Sequence, residues 1–198
     1  MTTRKIADST IRRLSLYLRL LRELEAGGRE LVSSHELAER SGTTSAQVRK
    51  DLSLFGSFGK RGRGYTVAEL QRTLESILGL RRRWRVALVG VGKIGSALLG
   101  YRDLERRGFD IIAAFDRDPA KVGRVFNGVE VSPLEELESV LRARAVDIAI
   151  IATPPEAAQP TAARLCRAGV SGILNFAPVK IEAPSGVSVR TMDVALEL

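Results

Sequence analysis

The fold turns on "VALVGVGKIGSALL", residues 86–99. Four apolar residues run into Gly90, Gly92 and Gly95, and a helical pattern opens directly behind them. This is G-x-G-x-x-G between a strand and a helix. The first glycine makes the tight turn, the second lets a pyrophosphate approach the backbone, and the third lets helix and strand pack closely. The helix N-terminus offers the phosphates unpaired N–H groups and the positive end of its dipole. Val91, Lys93 and Ile94 complete the loop and the first turn. Glycine spacing alone is a weak signal, but a second apolar run, "DIIAAFD" (110–116), ends in Asp116, 21 positions beyond Gly95. A carboxylate there accepts the two hydroxyls of an adenosine ribose. It also repels a 2′-phosphate, which favours NAD over NADP. Arg117 keeps NADP as the alternative, and a helix or turn cap is the bland reading of Asp116.

Beyond Asp116, "DIAIIAT" (147–153) and plausible strands at 172–176 and 187–191 alternate with helical stretches at 94–107, 134–144 and 156–168. Strands that are nearly all apolar, separated by helices, indicate a parallel sheet covered on both faces. In such sheets the ligand lies outside the carboxyl ends of the strands. Thr153, Pro154, Asn175 and Pro178, at those ends, either wall the nicotinamide half of a dinucleotide or are ordinary strand-to-helix turns. The single histidine, His35, is far in sequence from these loops, and no paired acid and base is suggested near them, as a dehydrogenase requires. A sensed ligand is expected, not a consumed one.

Upstream the texture is different. Residues 1–85 carry 18 Lys and Arg against 9 Asp and Glu, a net of +9, whereas residues 86–198 carry 13 against 14, a net of −1. A solvated surface needs no such asymmetry and a polyanionic partner does, with nucleic acid the leading candidate. Ser33–Glu36, Thr44–Gln47 and Thr66–Glu69 each have a hydroxyl followed three residues later by Glu or Gln, the signature of a helix start. Ile11, Leu14, Leu18 and Leu21 form an apolar stripe ahead of them. The spacing predicts helices at 9–26, 34–41, 45–55 and 67–79, with a turn at Gly42 and a glycine-rich ribbon at 56–65. Two short helices joined by a tight turn and followed by a ribbon make a winged helix-turn-helix.

If helix 45–55 enters a major groove, Val48, Leu52 and Phe55 face the core. Gln47 and Arg49 then have the chemistry for base edges, amide to adenine and guanidinium to guanine, while Ser45 and Lys50 suit phosphates. Lys60, Arg61 and Arg63 stand on the ribbon, whose glycines let an arginine tip enter a narrow minor groove. The fold class is therefore α/β: an N-terminal winged helix-turn-helix domain (1–80), a basic linker "RRRWR" (81–85), and a Rossmann-type doubly wound parallel sheet (86–198). No apolar run approaches the ~20 residues of a membrane span, and the start lacks the apolar core of a signal peptide, so the cytoplasm is expected. The single cysteine, Cys166, excludes an internal disulfide and a thiolate zinc cluster; no metal is expected.

The blocks "SAQVRKDLSLFGSFGKRGRGY", "VGVGKIGSALLGY", "FDRDPAKVG", "AAQPTAARLCRAGVSGILNFAPV" and "MDVALEL" together resemble the Rex family of redox-sensing transcriptional repressors, from about residue 9 to the end. The resemblance implies a homodimer on a palindromic operator in double-stranded DNA, released when NADH displaces NAD⁺. Transferred by position, it implies DNA contacts at Gln47, Arg49, Lys50, Lys60 and Arg61, and dinucleotide contacts at Gly90, Gly92, Gly95 and Asp116. It implies a switching group of Arg19, Tyr101 and Asp193. Two departures accompany it: Arg63 stands where an apolar residue is common, and family members continue past Leu198 into a helix exchanged between subunits.

Three rival readings bear on function. A small NAD-dependent oxidoreductase would need a base that the loops do not suggest. "VGVGKIG" and "NFAPV" are also similar to the CoA-binding domains of acyl-CoA synthetases, which need a histidine placed unlike His35. A sequence-independent DNA-associated protein would bind without the ~4–10 kcal/mol preference of a specific site.

Overall fold

In the computed structural model, which describes residues 6–56, 58 and 64–193, the chain divides into two compact units, Met1–Arg82 and Arg83–Leu198.

The first unit opens with helix α1 (Asp8–Ala26), followed by strand β1 (Leu31–Val32), α2 (Ser34–Ser41), α3 (Ser45–Ser53), β2 (Tyr65–Thr66) and α4 (Val67–Ile77). Leu14, Leu18 and Leu21 of the α1 stripe are buried, joined by Tyr17 and Leu24, but Ile11 stays exposed. Together with Leu37, Val48, Leu52, Leu70 and Leu74 they form one core. Phe55 packs against its edge, beyond the end of α3.

The caps explain the helix starts. Ser33 Oγ accepts from the backbone N–H of Glu36 at 3.0 Å, and Thr44 Oγ1 from that of Gln47 at 3.1 Å. The third expected cap does not form. Thr66 makes no side-chain cap, and the N–H of Val67 bonds to the Glu30 carbonyl at 2.9 Å. β1 and β2 pair antiparallel, Val32 opposite Tyr65. Lys60, Arg61 and Arg63 lie outside the described residues.

The second unit contains β3 (Trp84–Val89), α5 (Lys93–Leu99), α6 (Arg102–Arg106), β4 (Phe109–Asp116), β5 (Val125–Phe126), β6 (Val129–Pro133), α7 (Leu137–Ala143), β7 (Ile148–Ile151), α8 (Pro155–Arg167), β8 (Gly172–Asn175) and β9 (Ser188–Thr191). The sheet order is β5-β6-β4-β3-β7-β8-β9, parallel throughout except for the β5–β6 pair. From β3 the chain winds outward to β4 and β6, then crosses to β7 on the other side. Ala87 and Val89 face a layer containing Leu137, Leu141, Ala158, Ala162 and Leu165 from α7 and α8. Val86 and Leu88 face the opposite layer, with Leu98 and Leu99 of α5 against it.

Three sequence expectations change. The helix expected at 94–107 is two helices, because Gly100 ends α5 and Tyr101 leaves helical geometry with ψ 86°. The β5–β6 hairpin was not anticipated, and it turns on Asn127 and Gly128, both at positive φ. Of the expected linker 81–85, Trp84 and Arg85 already belong to β3, and Arg83 forms a bidentate ion pair with Asp110.

Candidate functional site

The carboxyl ends of β3, β4 and β7 open onto a cleft of about 750 Å³, at the point where the winding direction of the sheet reverses. Its walls include Gly90, Gly92, Lys93 and Ile94 from the glycine loop, Asp116, Arg117 and Lys121 after β4, and Thr153 and Pro154 after β7. The three glycines have different physical roles. At Gly90, φ is +96° and an added Cβ would lie 2.6 Å from the Ala152 carbonyl oxygen. At Gly95 an added Cβ would lie 2.0 Å from the Gly90 carbonyl oxygen, so nothing larger than hydrogen lets α5 seat on β3. At Gly92 a Cβ would meet nothing within 4 Å. The first and third glycines are demanded by the fold, and the second leaves space open at the start of α5.

Asp116 is buried at 7% exposure and its carboxylate is well occupied. Oδ2 accepts from the Val91 N–H at 2.7 Å and from Lys121 Nζ at 3.1 Å, while Oδ1 accepts from the Asp118 N–H at 2.9 Å. Burial pushes its pKa up, but the two backbone donors and the Lys121 ammonium outweigh that and hold it below the ordinary value. Asp116 therefore caps this turn within the fold itself. Each carboxylate oxygen has two lone pairs, so Oδ1 keeps acceptor capacity for a ribose hydroxyl. Val91 contributes only backbone here, its side chain being buried in the core.

Thr153 Oγ1 is buried and has no hydrogen-bond partner among the described residues, although Thr153 lines the cleft. A buried hydroxyl without a partner carries a desolvation penalty, which a polar ligand group would relieve. With the open space over Gly92, this makes the cleft fit a dinucleotide.

Other expected residues lie elsewhere. Asn175 is completely buried and braces its own loop. Its amide donates to the Ala177 and Val179 carbonyls at 3.0 and 2.8 Å, and its oxygen accepts from the Ala177 N–H at 2.9 Å. With those groups engaged it forms no part of the cleft wall. Pro178 is exposed and likewise outside the wall. Tyr101, 56% exposed, lines a separate hollow of about 840 Å³ with Leu98, Asp110 and Asn127. Lys121 was not singled out from the sequence, although its place five residues after Asp116 puts it back over the carboxylate.

In the first unit, Arg49 and Lys50 are exposed on α3 and Ser45 begins it. Arg49 donates to Ser34 Oγ at 3.1 Å. Gln47 donates through Nε2 to Asp51 Oδ1 at 2.7 Å, so one of its two amide N–H groups is engaged within the protein. Asp51 is 1% exposed and went unnoticed in the sequence. The available signal was a carboxylate on the same helical face as Val48 and Leu52, where burial demands a partner. Arg19 is exposed on α1, and Asp193 follows β9.

Among the described residues no three His, Cys, Asp or Glu side chains gather to hold a metal ion, and no helix is long and apolar enough to cross a membrane.

A basic helix-turn-helix unit and a glycine-loop Rossmann unit on one chain define a DNA-binding protein with a nucleotide pocket. A family model described as "Putative DNA-binding protein N-terminus" matches residues 5–53, and one described as "CoA binding domain" matches residues 81–179. The redox-sensing transcriptional repressor Rex of Carboxydothermus hydrogenoformans is 49% identical, over 98% of this chain and 93% of its own. That of Desulfitobacterium hafniense is 48% identical, over 100% and 94%. Among solved structures, the Rex-family repressor RSP in complex with β-NAD⁺ and operator DNA is similar at a TM-score of 0.95, with 36% identity over 98% of this chain and 90% of that one. RSP in complex with β-NADH is similar at 0.91, with 35% identity over 98% and 91%. The chain belongs to the Rex family of redox-sensing transcriptional repressors.

Proposed function

We propose that this chain is a redox-sensing repressor that grips a palindromic operator through its first unit as a cytoplasmic homodimer and lets go when NADH occupies the cleft of its second. The observation that carries the reading is its near full-length likeness to a Rex-family repressor bound to both β-NAD⁺ and operator DNA. A cleft with open space over Gly92 supports it independently.

In this reading Gly90, Gly92, Lys93, Ile94 and Gly95 cradle the pyrophosphate, with the N–H groups of the loop and the first turn of α5 as donors. Asp116 and Lys121 take the adenosine ribose, the carboxylate disfavouring a 2′-phosphate. Thr153 and Pro154 wall the nicotinamide end, where Thr153 Oγ1 finds its missing partner. The dinucleotide supplies one unit of charge difference, since the oxidised ring is cationic and the reduced ring neutral. Arg19, Tyr101 and Asp193 convert that difference into a change of state. A ligand shifts such an equilibrium only by its differential affinity for the two states.

On the DNA side, Arg49 and Gln47 read base edges from α3, Ser45 and Lys50 hold phosphates, and Lys60, Arg61 and Arg63 reach the minor groove. The relatives are named repressors, not enzymes, and the cofactor is a ligand that is not consumed.

The test is a gel shift on a palindromic duplex with NADH and NAD⁺ titrated separately. NADH releases the DNA and excess NAD⁺ restores the complex. Equal operator occupancy with reduced cofactor, oxidised cofactor or none would overturn the reading.

A further inference from the structure

Asp51 is the only carboxylate of α3, and it points inward. Arg13 of α1 grips it with both prongs of its guanidinium, Nε to Oδ2 at 2.6 Å and Nη2 to Oδ1 at 2.8 Å. The Tyr17 hydroxyl, also on α1, donates to Oδ2 at 3.1 Å. Gln47, one helical turn earlier on α3, donates Nε2 to Oδ1 at 2.7 Å. Each carboxylate oxygen thus receives two donors.

A buried ion pair is a poor device for stability, since desolvation offsets most of its attraction and a hydrophobic contact would hold α3 to α1 as well. What it supplies is direction. An ionised carboxylate can only accept, so the amide of Gln47 must turn its nitrogen towards Asp51 and its carbonyl oxygen away. Freed from Asp51, that amide would flip between two orientations and sample several rotamers, presenting donor and acceptor by turns.

We propose that Asp51 is a positioning residue for operator recognition, fixing the orientation of the Gln47 amide and the seat of α3 on α1 before DNA arrives. The inference rests on the reading above that Gln47 faces base edges. It adds that Gln47 reads with a predetermined polarity, its oxygen outward as an acceptor for an exocyclic amino group of adenine or cytosine.

The test uses the full chain and a set of operator duplexes in which each base pair is replaced in turn, with binding followed by fluorescence anisotropy. For the unaltered protein, replacing the base pair read by Gln47 lowers affinity by about 10-fold. Gln47→Ala and Asp51→Asn each flatten discrimination at that same base pair, the double variant flattens it no further, and the salt dependence is unchanged. If Gln47→Ala leaves every position as discriminating as before, the base-reading role fails and the proposal with it. If Gln47→Ala erases discrimination and Asp51→Asn preserves it, base reading stands and positioning by Asp51 is refuted. A uniform loss by Asp51→Asn across all duplexes would mark a purely structural role and overturn the proposal too.

Should Asp51→Asn fail to fold, the unaltered protein free of DNA still decides. The Gln47 side-chain amide protons should give two well-separated, slowly exchanging NMR signals. A random-coil pair would overturn the proposal.

Discussion

The backbone N–H of Val91, inside the glycine loop, donates to Asp116 Oδ2 at 2.7 Å, tying the loop after β3 to the end of β4. Asp116 therefore shapes the loop besides lining the cleft. Asp116→Ala should lower NADH affinity by at least about 10-fold and also lower the melting temperature, because the Val91 N–H, left without its partner, costs about 1–3 kcal/mol. Calorimetric titration and thermal unfolding measure the two effects. Lost affinity with an unchanged melting temperature would assign Asp116 to ligand contact alone.

Gly90 and Gly92 separate fold from binding. Gly90→Ala places a Cβ against the Ala152 carbonyl at a positive φ, so it should destabilise the second unit by more than about 1 kcal/mol. Gly92→Ala adds a methyl to open space. It should unfold like the parent and bind NADH markedly more weakly. Denaturant unfolding and NADH fluorescence, run on both variants, make the comparison.

Glu138 joins α7 to α8 by a bidentate pair with Arg164, at 2.7 and 2.5 Å. The Arg164 guanidinium holds its pKa at about 2, well below the ordinary glutamate value of 4.5. Because the folded value is the lower one, this stabilisation is fully present above pH 4.5 and is lost as pH falls towards 2. Urea midpoints measured from pH 7 to pH 2 should show the unaltered chain more stable than Glu138→Gln at neutral pH. The two curves should converge at the acid end; parallel curves would refute the coupling.

The proposed switch and the proposed base contacts should be separable by mutation. Arg19→Ala should leave NADH affinity within about 2-fold while abolishing NADH-driven release of operator. Arg49→Ala should cost about 1–3 kcal/mol in operator affinity and relax sequence preference, with the response to NADH intact on the DNA that remains bound. Anisotropy titrations with and without NADH read both variants; normal release of the Arg19 variant would remove that residue from the switch.

The alternation of apolar strands with helices, the glycine spacing and Asp116 made the second unit legible, because these local patterns agree on one fold. The caps at Ser33 and Thr44 were legible for the same reason. Thr66 makes no such cap, and the first N–H of α4, that of Val67, meets the Glu30 carbonyl, which folding alone brings there. The hairpin at Asn127–Gly128 had a readable signal, the dipeptide most favoured in two-residue turns, masked by the brevity of its strands. Asn175 was misplaced because a loop's position at a strand end does not reveal whether its amide faces outward or bonds inward. Asp51 escaped because its partners Arg13 and Tyr17 lie 38 and 34 residues away. A stretch of sequence announces its own turns far better than its distant handshakes.

Thr153 brings a last consequence. Its hydroxyl is buried without a partner among the described residues and lines the cleft; on the proposed reading it bonds to the reduced and the oxidised dinucleotide alike. On that reading the choice between states falls to the charge of the ring, and the second unit weighs the reduced form against the oxidised one.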